Sequence, residues 1–251
     1  MNELSYATVR EFHRFADELS DVTKMNEDLK SFQRPWVVDR LLRELPRGGR
    51  VLEIGADKCD LVEFLRGRGF EVWVIDVYDH FGGGTATYDQ VRQRFPDLNI
   101  TRSFMHEDRT LPAGFFDAVY SCSVIEHIPE TAMAATCKRI CEVLKEGGKS
   151  IHAIDCTVEG IMQNAPLIEH FTRGHGWNQS IPALAEKARA DLDTYYLSPQ
   201  GHVRWRKFVG KTYDEYPYRR VTSIGMVSTK QNGQLTACHD LEPAQGAARN
   251  T

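Results

Sequence analysis

Between Arg50 and Cys156 the chain alternates short, nearly unbroken apolar runs with longer stretches in which apolar residues recur every three or four positions. VLEIG, EVWVID, NITRSF, FDAVYSCS and KSIHAIDC read as strands; CDLVEFLRGRG, YDQVRQRF and ETAMAATCKRICEVLKEGG read as helices. Short strands separated by helical runs specify β-α-β units and therefore a parallel sheet. Strands that are apolar at successive positions are those of a sheet covered on both faces. Glycine pairs fall where the helices should stop, because glycine adopts the left-handed conformation that ends a helix without steric cost. The predicted fold is α/β, with a doubly wound, mostly parallel sheet.

The flanks follow other periods. In residues 1–46 the apolar positions Phe12, Phe15 and Leu19, then Trp36, Val37, Leu41, Leu42 and Leu45, are helically spaced, broken by Pro35 and closed by PRGG. They predict two or three amphipathic helices forming an N-terminal cap. The nucleotide-type domain then spans 47–230. Its 157–220 segment is an insertion of two helical pieces around the glycine-containing HFTRGHGWNQ, followed by the aromatic and basic HVRWRKFVGKTYDEYPYRR. RVTSIGMVSTK returns to strand chemistry, and the polar residues 231–251 are expected to form a flexible tail.

Composition narrows the function. The net charge of -4 offers no chain-wide positive field for phosphate backbones, which argues against nucleic acid as the partner. The six cysteines include no C-x-x-C pair, and Cys137 and Cys141, four apart on a helix, read as a core pair rather than a metal site. That usage suits a reducing cytoplasm. The first residues have no apolar signal core, and no apolar run nears the ~20 residues of a membrane span. The expectation is a soluble, cytoplasmic protein with no bound metal.

In a doubly wound sheet, ligands sit beyond the carboxyl ends of the strands. The first strand ends in Glu53-Ile54-Gly55, the second in Asp76, the third leads to Glu107-Asp108 and the fourth ends at Ser121. A carboxylate closing the second strand can accept from both hydroxyls of a ribose, a chemistry shared by NAD and S-adenosyl ligands. Taken together, VLEIGADKCD, VWVIDVYD, HEDRTLPAGFFDAVYSCSVIEHIPE and LKEGGKSIHAID, from Val51 to Asp155, resemble the class I S-adenosylmethionine-dependent methyltransferases of the small-molecule or glycan type. The resemblance implies a seven-stranded Rossmann-like sheet with a helical insertion after the fifth strand, and S-adenosyl-L-methionine as methyl donor. It implies that Glu53, Gly55 and Asp57 border the methionine part, Asp76 the ribose with Val77 beside the adenine, Asp108 the adenine amino group, and Ser121 and Cys122 the sulfonium.

One departure stands out. The family's turn reads E-x-G-x-G-x-G, whereas this chain has Glu53-Ile54-Gly55-Ala56-Asp57-Lys58-Cys59, keeping one glycine of three. Side chains at 57 and 59 disfavour positive φ and close backbone approach. An added carboxylate suits a cationic sulfonium better than a pyrophosphate, so the departure counts against NAD. An NAD-dependent oxidoreductase would also need a G-x-G-x-x-G turn or a Tyr-x-x-x-Lys pair, and the chain has neither. The other rival is a non-catalytic S-adenosylmethionine-binding partner subunit.

For the general base the candidates are His127, Asp155 and His175, with His202 behind them, and the sequence does not choose among them. Some quinone-pathway relatives hold a metal beside an equivalent of Glu126-His127, but here position 123 is serine instead of a further acid. HFTRGHGWNQ is expected to be a mobile substrate loop, and the aromatic and basic stretch mainly packing. The reaction expected is methyl transfer to a small-molecule or sugar/glycan acceptor, most naturally at oxygen, by a protein free to form a homodimer.

Overall fold

The computed structural model describes residues 2–26, 28–79 and 84–237. Its elements are β1 (Glu3–Tyr6), α1 (Val9–Glu18), α2 (Lys30–Glu44), β2 (Arg50–Ile54), α3 (Val62–Gly67), β3 (Glu71–Ile75), α4 (Tyr88–Arg94), β4 (Asn99–Thr101), β5 (Phe116–Cys122), α5 (Glu130–Val143), β6 (Leu144–Gly160), α6 (Ala165–Gly174), α7 (Ile181–Ala190), α8 (Pro199–Phe208), β7 (Tyr218–Gln231) and β8 (Gln234–Thr236). The sheet runs β1-β7-β6-β5-β2-β3-β4, with β8 paired to β7 outside that path. The central strands are parallel, and β7 is antiparallel to β6, β1 and β8. This is the expected doubly wound sheet with seven strands in its main path.

Strand alternation splits the core in two. Val51, Val74, Ala118 and Ile151 pack under Phe15, Trp36, Leu41, Val62 and Val91 of α1 to α4. Leu52, Val119, Ile154 and Met226 pack under Met133, Ile140, Ile168, Phe171 and Leu184 of α5 to α7. Each strand offers alternate residues to opposite helix layers, and burial on both faces requires the unbroken apolar runs seen in the sequence.

Three expectations change at the flanks. Glu3–Tyr6 is a strand, not helix: it pairs residue for residue with Val227–Ile224 of β7, so the N-terminal segment completes the sheet edge as well as capping it. Pro35 lies inside α2, which continues to Glu44. There it removes one backbone hydrogen bond from the helix. The segment after β7 begins as a hairpin, with Asn232 and Gly233 both at positive φ, as a two-residue type I′ turn requires; residues from 238 onward lie outside the described part. Trp36 lies so close to Gly225 that a Cβ there would be 2.4 Å from the indole, so α2 can seat on β7 only over a glycine.

Candidate active site

The carboxyl ends of β2, β3 and β5 frame a partly open cleft of about 120 Å³, lined by Gly55, Asp57, Asp76, Val77, Phe104, Met105, Ser123, Val124 and His127, with Lys30 on one side. A larger hollow of about 1020 Å³ runs between α5, α6 and the β7–β8 hairpin. It contains none of the strand-end residues, so the chemistry is sought in the smaller cleft.

The turn after β2 resolves the missing glycines. Gly55, Asp57 and Cys59 all have positive φ, at 69°, 45° and 55°. The chain therefore keeps the every-second-residue left-handed geometry of a glycine-rich turn while carrying side chains at two of its three positions. Non-glycine residues pay about 1–2 kcal/mol each for that conformation, and both have offsetting contacts. Asp57 accepts from the Thr85 and Ala86 amides at 2.7 Å each, tying down the loop after β3. The Cys59 side chain is wholly buried against Tyr78, its sulfur 3.6 Å from the Tyr78 hydroxyl. Gly55 has no such latitude, because a Cβ would meet Val124 at 2.5 Å. Tyr78 and Ser123 are also left-handed. Thus three of the five non-glycine residues at positive φ among the described residues line this cleft, and a fourth, Cys59, is buried behind its turn. Backbone strain of this kind persists where surrounding structure over-determines it, and it concentrates at functional sites.

Asp76 accepts the Asp57 amide at 3.0 Å on one oxygen and the Tyr78 amide at 2.9 Å on the other, so its carboxylate is rigidly aimed at the ends of β2 and β3. Lys30, at the start of α2, reaches the same cleft, and among the described residues its ammonium has no carboxylate within ion-pair distance. Sequence reasoning missed it because it precedes the nucleotide pattern.

Of the residues singled out from sequence, Gly55, Asp57, Asp76, Val77 and His127 meet in the cleft. Glu53 lies behind the turn, where burial pushes its carboxyl up to about 7 against the pull of the Tyr120 hydroxyl, which donates at 3.0 Å. Cys122 lies nearby, its thiol pushed up to about 12 by burial and by Glu53. Asp108 is engaged by the fold. Buried to 3% exposure, it accepts from Thr110 and Leu111 and pairs with Arg139 at 2.9 Å. Burial would raise its pKa, but the Thr110 and Arg139 bonds hold it down to about 2.

Ser121 and His175 point into the α6 side of the core. His175 has no exposure and donates from Nδ1 to the Phe171 carbonyl at 2.9 Å, so its Nε2 must accept from the Ser150 hydroxyl at 3.0 Å. Ser150 in turn accepts from His152 Nε2, leaving His152 Nδ1 to accept from the Ser121 hydroxyl, both at 2.7 Å. One proton arrangement satisfies this chain, with both imidazoles neutral. HFTRGHGWNQ is not a free loop: it begins as the end of α6 and is anchored to the core by Phe171, Thr172, His175 and Trp177, the last of them 8% exposed and donating to Ser228.

Asp155 sits one hydrogen bond behind the cleft. Its Oδ1 accepts from Gln33 at 2.7 Å and from Ser123, a cleft residue, at 2.8 Å. Beside it is Glu126, in the single 3-10 turn Ile125–His127. Both Glu126 carboxylate oxygens are sealed from solvent without a hydrogen-bond partner. Burial and the Asp155 charge push the Glu126 pKa well up, and burial raises Asp155 too, despite the Ser123 and Gln33 bonds. Among the described residues no group of three or more His, Cys, Asp or Glu side chains is arranged to hold a metal ion.

Residues 25–206 match the family model described as "Methyltransferase domain". The chain belongs to this methyltransferase family. It is an S-adenosylmethionine-dependent methyltransferase, with S-adenosyl-L-methionine as methyl donor. Solved structures of similar fold include the Burkholderia thailandensis 1,6-didemethyltoxoflavin-N1-methyltransferase with bound 1,6-didemethyltoxoflavin and S-adenosylhomocysteine, 14% identical, TM-score 0.53, covering 89% of this chain and 87% of that one. Another is a TehB-like SAM-dependent methyltransferase from Corynebacterium glutamicum, 14% identical, TM-score 0.48, covering 88% and 99%. No curated protein sequence matches the chain. Among the described residues, no helix of the methyltransferase is long and apolar enough to cross a membrane.

Proposed function

We propose that this methyltransferase acts on a small-molecule acceptor, with the Asp76 side of the cleft holding the donor and the Ser123–His127 side receiving the acceptor. When bound, the donor supplies a methyl group on a sulfonium, which leaves as a neutral thioether. Asp76 accepts the ribose hydroxyls on the lone pairs its two amide bonds leave free, and those amides hold it in place. Lys30 meets the methionine carboxylate. Val77, Phe104 and Met105 supply apolar walls for the adenine, and Gly55 lets the ligand approach the backbone. Ser123 and His127 border the space into which the methyl group points.

The observation that carries this reading is the convergence of three left-handed non-glycine residues on one cleft whose fixed carboxylate and uncommitted ammonium complement an amino-acid nucleoside. Calorimetry with S-adenosylhomocysteine tests it. Asp76→Ala should lose about 100-fold in affinity, the equivalent of two charge-assisted bonds, with the circular dichroism spectrum unchanged. Affinity kept within threefold would overturn the assignment of the ribose.

A further inference from the structure

The acceptor side of the cleft is short of donors. Glu126 Oε1 and Oε2 receive no hydrogen bond from any nitrogen or hydroxyl of the chain, and Asp155 beside them has Oδ1 taken by Gln33 and Ser123. Neither acid has a Lys, Arg or His nitrogen within ion-pair distance among the described residues, although Lys30 and His127 are near enough for their charges to act on Asp155. Two buried carboxyls without a cation are costly, and one of them must hold a proton at neutral pH. Apart from the proton it shares with Asp155, nothing holds the Glu126 carboxyl where it is, and its stem is half-buried, so a change of rotamer can turn it toward the cleft.

The wall beyond Asp155 is aromatic. Tyr216 is 3% exposed and lies within the field of Asp155. It packs edge-on against Tyr218 at 5.2 Å and His202 at 5.0 Å between ring centres. A carboxyl pair that carries negative charge beside aromatic rings is the chemistry that takes an organic ammonium, which brings positive charge and two or three N–H donors. A hydroxyl brings one donor and no charge, leaving one of the two Glu126 oxygens unmet.

Resting on the proposed function above, we infer that Glu126 and Asp155 form the acceptor anchor and that the acceptor is a small amine, methylated at nitrogen. This replaces the oxygen acceptor expected from sequence. The ammonium binds across the two carboxyls and gives one proton to Asp155. The freed nitrogen lone pair forms the N–C bond to the methyl carbon as the C–S bond breaks, and that electron pair stays on sulfur. His127 borders the cleft with neither ring nitrogen hydrogen-bonded among the described residues, and it takes the proton from Asp155 by way of solvent in the cleft.

The test titrates benzylamine, phenethylamine and their alcohols, benzyl alcohol and 2-phenylethanol, into the full chain saturated with S-adenosylhomocysteine, by calorimetry at pH 7.5. At least one amine should bind at least tenfold more tightly than its alcohol. Glu126→Gln and Asp155→Asn should each remove that preference while keeping S-adenosylhomocysteine affinity within threefold. Turnover with S-adenosylmethionine should give the N-methyl product. Binding of neither amine, equal or tighter binding of the alcohols, or an amine preference that survives in Glu126→Gln would overturn the inference. Failure of wild type to bind S-adenosylhomocysteine would instead overturn the donor reading on which it rests.

Discussion

Two buried polar clusters in this methyltransferase differ in one respect. On the α6 side, Ser121, His152, Ser150, His175 and the Phe171 carbonyl form a chain in which each ring nitrogen and hydroxyl is matched. On the α2 side, beside Asp155, both Glu126 oxygens are buried without a donor from any nitrogen or hydroxyl of the chain. Both clusters cost solvation to bury, but only the first recovers it within the chain. A satisfied buried network serves the fold, whereas an unsatisfied one beside a cleft is completed by something the chain does not contain. Three measurements can break or sharpen that contrast.

The largest effect should come from another satisfied acid. Removing Arg139 strands Asp108 among its remaining donors without its cation, so Arg139→Ala should destabilise the protein by about 3–5 kcal/mol in urea unfolding. A loss below about 1 kcal/mol would mean that the pair is not held as described.

The second effect is pH-dependent. Burial, set against the Phe171 bond, lowers His175 to about 4, below its unfolded value near 6.5, so the unfolded chain binds more protons between those values. Stability from His175 is therefore complete above about pH 6.5 and is lost as pH falls toward 4, by about 3 kcal/mol in total. Glu126, Asp155 and Glu53 act with the opposite sign: their folded pKa values are raised, so their destabilisation is relieved as pH falls. His175→Asn should be less stable than wild type at pH 7.5 and should lose less on acidification, which urea midpoints from pH 7.5 to 4.5 would reveal. Equal acid sensitivity in the two proteins would contradict a neutral, sealed imidazole.

The smallest effect has the opposite sign. Glu126→Met replaces an unpartnered carboxyl by an apolar side chain of similar length and should stabilise the ligand-free protein by about 1–3 kcal/mol, raising Tm by a few degrees. A destabilisation would place Glu126 with the satisfied network and against the acceptor role.

The turn after β2 shows how far local sequence could be read. Glu53-Ile54-Gly55 marks the strand end, and Asp76 follows from the next strand by pattern alone. That Asp57 and Cys59 would still adopt glycine-like backbone was not readable, because the contacts that offset it come from Thr85, Ala86 and Tyr78, more than 15 positions away. The hairpin at Asn232-Gly233 was readable and passed over, since an Asn-Gly pair between a strand run and QLT is a hairpin signal. The strand at Glu3–Tyr6 was not readable, because its four residues gain meaning only from the β7 edge they meet.

Strand and helix order between Arg50 and Cys156, the doubly wound sheet, the positions of Gly55 and Asp76 and the family follow from the sequence by itself, because hydrophobic period and strand-end chemistry are local properties of the chain. Tertiary structure alone decided that His175 and Ser121 belong to the core, that Asp108 belongs to Arg139, that Lys30 joins the cleft and that Glu126 stands unpartnered beside Asp155. A polar residue's role depends on which partners reach it, and those partners come from distant segments brought together only when the helices close over the sheet.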